Sequence, residues 1–395
     1  MVSLELLFTL LIVSALVHVI ALVVIIRALV TTRRLQEEIA EIGRLQDRVQ
    51  HDADHGLPTR AERQVALVVN PTKAEADEVV RLVHSACSRA GMQAPLLLAT
   101  TASDPGHQMA ADAVSRGADV VIAAGGDGTV RAVAAELTGT DVALGIIPMG
   151  TGNLFARNIG LPYQDLHACV DESLHGLSHR VDTLDLALHR ADGTTDKENS
   201  LVIAGGGLDA EVMGDTREAL KQRAGWLAYG EAGMRHVMGR RRSITVAVDD
   251  AEPETHRVRS VLLANCGMLQ AGMILVPSAR FDDGRLDAVL FTPRHAWDWA
   301  KIVAKTVTRF TADIPVMTVR QARVSTLTMA EPLPFQIDGD AVGEVVAVEA
   351  RVRPSSLIVN GVTGAPWIES GRFEVDPAED WERRSELHEA DGPNP

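Results

Sequence analysis

Hydrophobic positions along the chain fall into three textures, each predicting a different kind of element. Leu6–Ile26 runs 21 residues without a charge, roughly 31 Å as a helix and enough to cross a bilayer core. Leu35, Ile39, Ile42, Leu45 and Val49 then step by three and four, the pattern of an amphipathic helix that suits a juxtamembrane stalk or a homodimer contact. His51–Arg60, with Gly56 and Pro58, reads as a linker. The second texture begins at Val65–Val69, a continuous apolar run that stops at Asn70-Pro71 and precedes helical periodicity over Glu75–Ala90. Leu96–Ala99, Val120–Ala124 and Val142–Ile147 repeat the strand pattern, with helices expected over Pro105–Arg116 and, from Thr129 onward, over Val130–Leu137. Alternating units with fully apolar strands predict a parallel sheet covered on both faces, whose ligands lie beyond the carboxyl ends of the strands.

After Val181 the pattern turns β-rich: Asp185–His189, Ser200–Ala204, Ile244–Val248, Val258–Asn265, Leu286–Phe291, Val316–Val319, Ala322–Thr328 and Val345–Val352. Short strands with turn residues between them predict an antiparallel sandwich, interrupted by helical stretches at Ala210–Met238 and Ala296–Arg309. The expected organisation is an anchor over 1–34, a helix and linker over 35–62, an α/β domain over 63–180, a β-rich domain over 181–362 and a tail over 363–395.

Composition changes this picture at the ends and in the choice of partners. Arg27, Arg33 and Arg34 follow the apolar run and Glu5 precedes it, which predicts a single-pass protein of the cell membrane with its folded part in the cytoplasm. A cleavable signal peptide fits less well, because Met1–Glu5 lacks a basic region. The net charge of −15 argues against nucleic acid as a partner. From Glu369 onward nine carboxylates face three arginines, which predicts a disordered tail. Against that acidity, Lys221, Arg223, Arg235, Arg240, Arg241 and Arg242 are interleaved with Trp226, Leu227 and Tyr229, which suits either a helix on an anionic membrane surface or a solvated helix face. Cys87, Cys169 and Cys266 have neither metal-ligand nor disulfide-framework spacing and are read as structural.

The candidate chemistry centres on Gly125-Gly126-Asp127-Gly128-Thr129, a glycine turn between a buried strand and a helix start. Glycines let backbone N–H groups approach an anion. A carboxylate beside phosphate makes sense when a divalent cation stands between them. Asn70-Pro71-Thr72-Lys73 follows the first strand, and Gly145–Asn153, ending in Gly150-Thr151-Gly152-Asn153, follows the fourth.

These segments, in this order, closely resemble the bacterial diacylglycerol kinase family, whose catalytic domain is shared with sphingosine and ceramide kinases. The resemblance covers about residues 65 to 360, with Ala204–Ala210, Asn265–Ala279 and Phe281–Asp287 similar to the family's substrate-side and metal-side motifs. It implies a phosphofructokinase-like nucleotide-binding domain followed by the β-rich lipid-substrate domain, with ATP and Mg²⁺ as cofactors. By the same resemblance Asn70–Lys73 and Thr101 (or the equally placed Thr100) lie against the nucleotide, and Gly125–Thr129 wraps the triphosphate with Asp127 acting through Mg²⁺. Gly150, Thr151 and Asn153 close the site, and Asp283, beside Asp282, holds a further cation with the carbonyls of Arg280 and Arg285. The family's acceptor carboxylate is the Glu of Asp-Gly-Glu; here the segment is Asp338-Gly339-Asp340, one methylene shorter, with Glu344 downstream as a substitute. Asp209 either touches the lipid head group or caps a helix. Where the family continues the glycine motif with Asn-Glu, this chain has Arg131-Ala132, and Arg131 either pairs with phosphate or faces solvent.

The expected activity is therefore transfer of the ATP γ-phosphate to a primary hydroxyl of a membrane lipid, first of all diacylglycerol. Sphingoid and other lipid acceptors form the near alternative. Phosphofructokinases and NAD kinases share the glycine loop, and a non-catalytic membrane-tethered nucleotide or lipid sensor is the alternative outside the enzymes.

Overall fold

The computed structural model describes residues 63–207, 241–269, 274–295, 298, 301–302, 314 and 316–364. The apolar run, the amphipathic stripe, Asp209, the helix expected over Ala210–Met238 and nearly all of the acidic tail lie outside the described residues. The expectation of a single-pass membrane protein does not stand: among the described residues no helix is long and apolar enough to cross a membrane.

Four parallel strands form the first part of the sheet: β1 (Val65–Val69), β2 (Leu96–Ala99), β3 (Val120–Gly125) and β4 (Ala143–Pro148), in the order β2-β1-β3-β4. The unbroken apolar sequences of β1, β3 and β4 reflect burial on both faces, whereas β2 lies at the edge with Leu97 exposed. Ala66, Val68, Val121 and Ala123 enter one core cluster, while Val65, Leu67, Val120 and Ile122 enter another. Helices α1 (Ala76–Arg89), α2 (His107–Ser115) and α3 (Asp127–Leu137) follow β1, β2 and β3. Helix α3 begins two residues before the expected Thr129, which puts Asp127 in its first turn, where the helix N–H groups favour a negative charge. After β4 come α4 (Leu154–Asn158) and α5 (Leu166–His175), neither of which stood out in the pattern. Five residues are too few for a period; α5 is started by Asp165, whose carboxylate accepts the N–H groups of His167 and Ala168.

The β-rich part contains β5 (Ser178–His189), β6 (Thr195–Ser200), β7 (Ile203–Gly207), β8 (Arg242–Val248), β9 (Glu254–Val258), β10 (Ser260–Ala264), β11 (Leu286–Phe291), β12 (Met317–Ala322), β13 (Val324–Ile337) and β14 (Asp340–Asn360). Arg241 and Arg242 lead into β8 and do not continue a basic helix. Of the helix expected over Ala296–Arg309, only residues 298, 301 and 302 are described. Leu184, Leu186 and Leu188 of β5 pack with Ile244, Val261, Leu263, Leu286 and Leu327 in a third core, the alternation that each strand's pattern required. Ser200–Ala204, expected as one strand, is divided because the N–H groups of Leu201, Val202 and Ile203 all donate to the buried Asp338 carboxylate.

The β14 strand joins the two parts. It runs past the expected end at Val352, shifts register between Arg353 and Leu357 at a left-handed Ser355, and pairs through Ile358–Val359 with β4 in parallel. Hydrogen bonding is therefore continuous along β12-β11-β10-β7-β13-β14-β4-β3-β1-β2. All three cysteines are buried and unpaired, and burial pushes the Cys169 thiol up to about 12.

Candidate active site

Parallel strands end together, so the loops after β1, β2, β3 and β4 share one edge of the sheet. Backbone bonds tie those ends to one another: Asn70 N–H donates to the Ala124 carbonyl at 2.9 Å, Thr100 N–H to Val69 at 2.9 Å, and Met149 N–H to Gly125 at 2.7 Å. After β1, the Asn70 side-chain oxygen accepts the Thr72 N–H (3.0 Å) and hydroxyl (2.7 Å), folding Asn70-Pro71-Thr72-Lys73 into a surface turn. After β2, Thr100 is buried and Thr101 is exposed, its hydroxyl accepting the Asp104 N–H at 3.1 Å. Of the two threonines it is Thr101 whose side chain lies at the surface of this edge.

The loops after β3 and β4 touch through their backbones. A Cβ on Gly125 would lie 2.5 Å from the Thr129 Cβ, and one on Gly150 would lie 3.0 Å from the Gly126 Cα, so neither position tolerates a side chain. Asp127 braces this pair of loops. Its Oδ1 accepts the Leu154 N–H at 2.6 Å and its Oδ2 the Asn153 N–H at 2.9 Å. Asn153 sits left-handed (φ 46°) and closes its own loop, donating from Nδ2 to the Gly150 carbonyl (2.8 Å) and accepting the Gly150 N–H at Oδ1 (3.1 Å). Thr151 is exposed at the tip. Burial raises the Asp127 carboxyl pKa, the two amides counter it, and the negative charges of Asp338 and Asp340 add to the rise. Each carboxylate oxygen keeps a further lone pair, and the first-turn N–H groups of α3 point from the same place. The result is an anion cradle beside a carboxylate whose charge calls for a cation.

Asp340 stands over this cradle. The turn Asp338-Gly339, with φ of 50° and 95°, delivers it to the start of β14. Arg131, one turn into α3, donates from Nη2 to Asp340 Oδ2 at 3.0 Å, and a Cβ on Gly128 would lie 3.2 Å from that same oxygen. The Arg131 side chain is only 16% exposed, and its Nη1 is buried without a partner. Arg131 therefore does not simply face solvent, since it holds the Asp340 carboxylate. Asp338 is an anchor, accepting the Ser200 hydroxyl at 2.8 Å and three backbone N–H groups. Glu344 is exposed in β14 opposite Pro334.

The acidic turn after Phe281 lies apart from these loops in the sequence and is organised by a residue that the sequence pattern did not single out. Asp182, buried in β5, accepts the Gly284 N–H at 2.6 Å and the Ser355 N–H at 2.7 Å. Its one legible mark was a carboxylate beside Val181 where the strand becomes apolar. Asp282 is engaged by the Arg280 guanidinium at 3.1 Å, and Asp283 accepts the Arg285 N–H at 2.9 Å. Among the described residues no three His, Cys, Asp or Glu side chains stand close enough to share a metal ion. A cation here would be held by Asp283 with backbone oxygens and water, as Mg²⁺ with its retained hydration shell permits.

Burial first, and then the charges of Asp287, Asp182 and Asp282, push the Asp283 carboxyl up from 3.8 to about 6. Between those values the folded protein holds a proton that the unfolded chain has released, so stability falls as pH rises through that window. In EDTA at pH 7.5, Asp283→Asn is expected to raise Tm by about 2–4 °C, discounted for partial exposure, and to raise it by nothing near pH 4. Mg²⁺ should stabilise the wild type and not the variant; equal melting curves under all conditions would remove Asp283 from the cation reading.

Two family descriptions match successive regions of the chain. Residues 64–186 match the diacylglycerol kinase catalytic domain and residues 202–361 the YegS C-terminal NAD kinase beta sandwich-like domain. The chain is 31% identical over 233 residues to a diacylglycerol kinase of Mycobacterium tuberculosis, covering 58% of this chain and 72% of that one. It is also 31% identical over 258 residues to a probable lipid kinase, YegS-like, of Stenotrophomonas maltophilia, covering 62% and 80%. A putative diacylglycerol kinase from Bacillus anthracis has a similar fold, with a TM-score of 0.62 at 20% identity over 75% of this chain and 95% of that chain.

Proposed function

Because the chain belongs to the diacylglycerol kinase family and is a lipid kinase, we propose that it transfers the γ-phosphate of ATP to the primary hydroxyl of diacylglycerol, giving phosphatidate and ADP. The observation that carries this reading is the carboxylate of Asp340 poised against Gly128 and Arg131, at the mouth of the anion cradle. Phosphoryl transfer asks the protein mainly for alignment and charge neutralisation. The N–H groups of α3 and the loop Gly150–Asn153 bind the phosphates, while Asn70–Lys73 and Thr101 border the nucleotide from the neighbouring strand ends. Mg²⁺, when bound with the triphosphate, neutralises the charge developing on it, with Asp127 as the carboxylate nearest the cradle. Asp340 accepts the proton of the lipid hydroxyl as its oxygen bonds to the γ-phosphorus and the bond to the β-phosphate oxygen breaks. Asp283 is the proposed position of a further cation.

Purified protein given radiolabelled ATP and diacylglycerol in neutral mixed micelles should yield labelled phosphatidate. Label on sphingosine or another lipid alcohol alone would change the acceptor. Nucleotide binding without turnover of any lipid would replace the kinase reading of this chain with that of a sensor.

A further inference from the structure

Away from the phosphate loops, a cavity of about 660 Å³ opens beside β9, the end of β11 and residues Arg294, His295, Asp298 and Lys301. Its position follows from strand register. Gly207 pairs with Ser260 at one end of β7 and β10, and the neighbouring Arg259 N–H bonds Phe291 at the end of β11. At the other end, Ile203 pairs with Ala264, and its carbonyl accepts the Asp338 N–H. Four strand residues, roughly 13 Å, therefore separate the level of this cavity from the turn that delivers Asp340.

The wall is strongly cationic. Arg241, Arg257, Arg294 and Lys301 line it, and among the described lining residues Asp298 is the only carboxylate. That carboxylate is already engaged, accepting the N–H groups of Arg294 (2.9 Å) and His295 (3.1 Å) and the Lys301 ammonium (3.2 Å). Arg241 donates from Nη2 to the Arg257 carbonyl, while its Nε is buried with no partner. Burial holds Arg241 below its ordinary pKa, and the charges of Arg294, Arg257 and Arg259 act in the same direction. Mutually repelling guanidinium groups around a cavity form a stable arrangement when an anion bridges them, and their planar forks match phosphate oxygens two at a time. Thr255 and Thr292 add neutral hydroxyls to the wall. The volume exceeds that of a bare phosphate and leaves room for the rest of a phosphate ester.

We propose that this cavity is a second phosphate site, separate from the nucleotide loops, that binds the phosphate monoester group of an anionic lipid headgroup or of a soluble glycerol phosphate. Two probes distinguish the sources: co-sedimentation of the full chain with phosphatidylcholine vesicles containing phosphatidate, and thermal shift with glycerol 3-phosphate. The wild type is expected to bind the vesicles, and the double variant Arg257→Gln/Arg294→Gln to bind about thirtyfold more weakly, from roughly 1 kcal/mol per basic residue. Arg257→Lys/Arg294→Lys should retain most of the binding. Because the Gln variant removes two repelling cations, its Tm without added anion should equal or exceed that of the wild type, which excludes unfolding as the cause. Phosphorylation of lipid in neutral micelles should be unchanged. Binding of vesicles alone assigns the site to a headgroup in a bilayer, and an equal response to glycerol 3-phosphate assigns it to the ester itself. Failure of the wild type to bind either probe, or equal binding by the Gln variant, overturns the proposal. The readout needs no turnover, so it stands or falls independently of the acceptor assignment.

Discussion

Asp340→Asn is expected to lower kcat for lipid phosphorylation by about 10²–10⁴-fold while leaving the KM for ATP nearly unchanged, because it removes a proton acceptor and leaves the phosphate loops intact. Arg131 makes the test sharper. Its Nη2 fixes one oxygen of Asp340 at 3.0 Å, leaving the other to meet the substrate hydroxyl. Arg131→Ala frees that carboxylate to rotate, and a displacement of about 1 Å at a reacting group can cost ~100-fold. Arg131 and Asp340 act through one contact, so the double variant should be little worse than Asp340→Asn alone. Fully additive losses would mean that Arg131 acts on the phosphate independently of Asp340. Unchanged turnover in Asp340→Asn would remove that residue as the acceptor.

Asp127→Ala should have the other large effect, this time on nucleotide binding and on folding of the site together. Truncation leaves the buried N–H groups of Asn153 and Leu154 without their acceptor, at about 1–3 kcal/mol each. It also releases the left-handed Asn153 that closes the Gly150 loop. Part of the loss is offset, because burial and the charges of Asp338 and Asp340 disfavour the Asp127 carboxylate in the folded protein. The net expectation is a small fall in Tm with a fall of about 10³-fold or more in kcat/KM, dominated by weaker binding of ATP. Asp127→Asn should resemble Ala in activity, since its amide presents a donor to one of two N–H groups that both need an acceptor. Full activity of Asp127→Ala, measured at saturating and at low ATP, would sink the nucleotide assignment.

A lipid acceptor follows from family membership across both matched regions.

Periodicity located the parallel strands because burial on both faces leaves a strand no polar positions: β1 and β3 are apolar at every residue and send alternate side chains into two cores. The same logic failed for α4, which is shorter than a useful period, and for the break between β6 and β7, which depends on Asp338 some 135 residues away in sequence. Glycine spacing likewise marked Gly125–Thr129 as an anion turn, since only the absence of a Cβ allows Gly125 to pack on Thr129 and Gly150 on Gly126. What a turn's own residues could not reveal is where their side chains point.

The sequence by itself determined the order of the four parallel strands, the helices that follow the first three of them and the glycine-rich loops at their ends, because these depend on local pattern and on residue type. Only the tertiary structure decided that Asp127 braces the β4 loop, that Arg131 holds Asp340, and that Asp182 shapes the acidic turn. Each joins segments that are separate in the chain: the first is made because β3 and β4 pair side by side, and the second because β14 begins at these loops before it runs on to pair with β4. A buried charge takes its role from the partners that the fold supplies, and no local spacing encodes them.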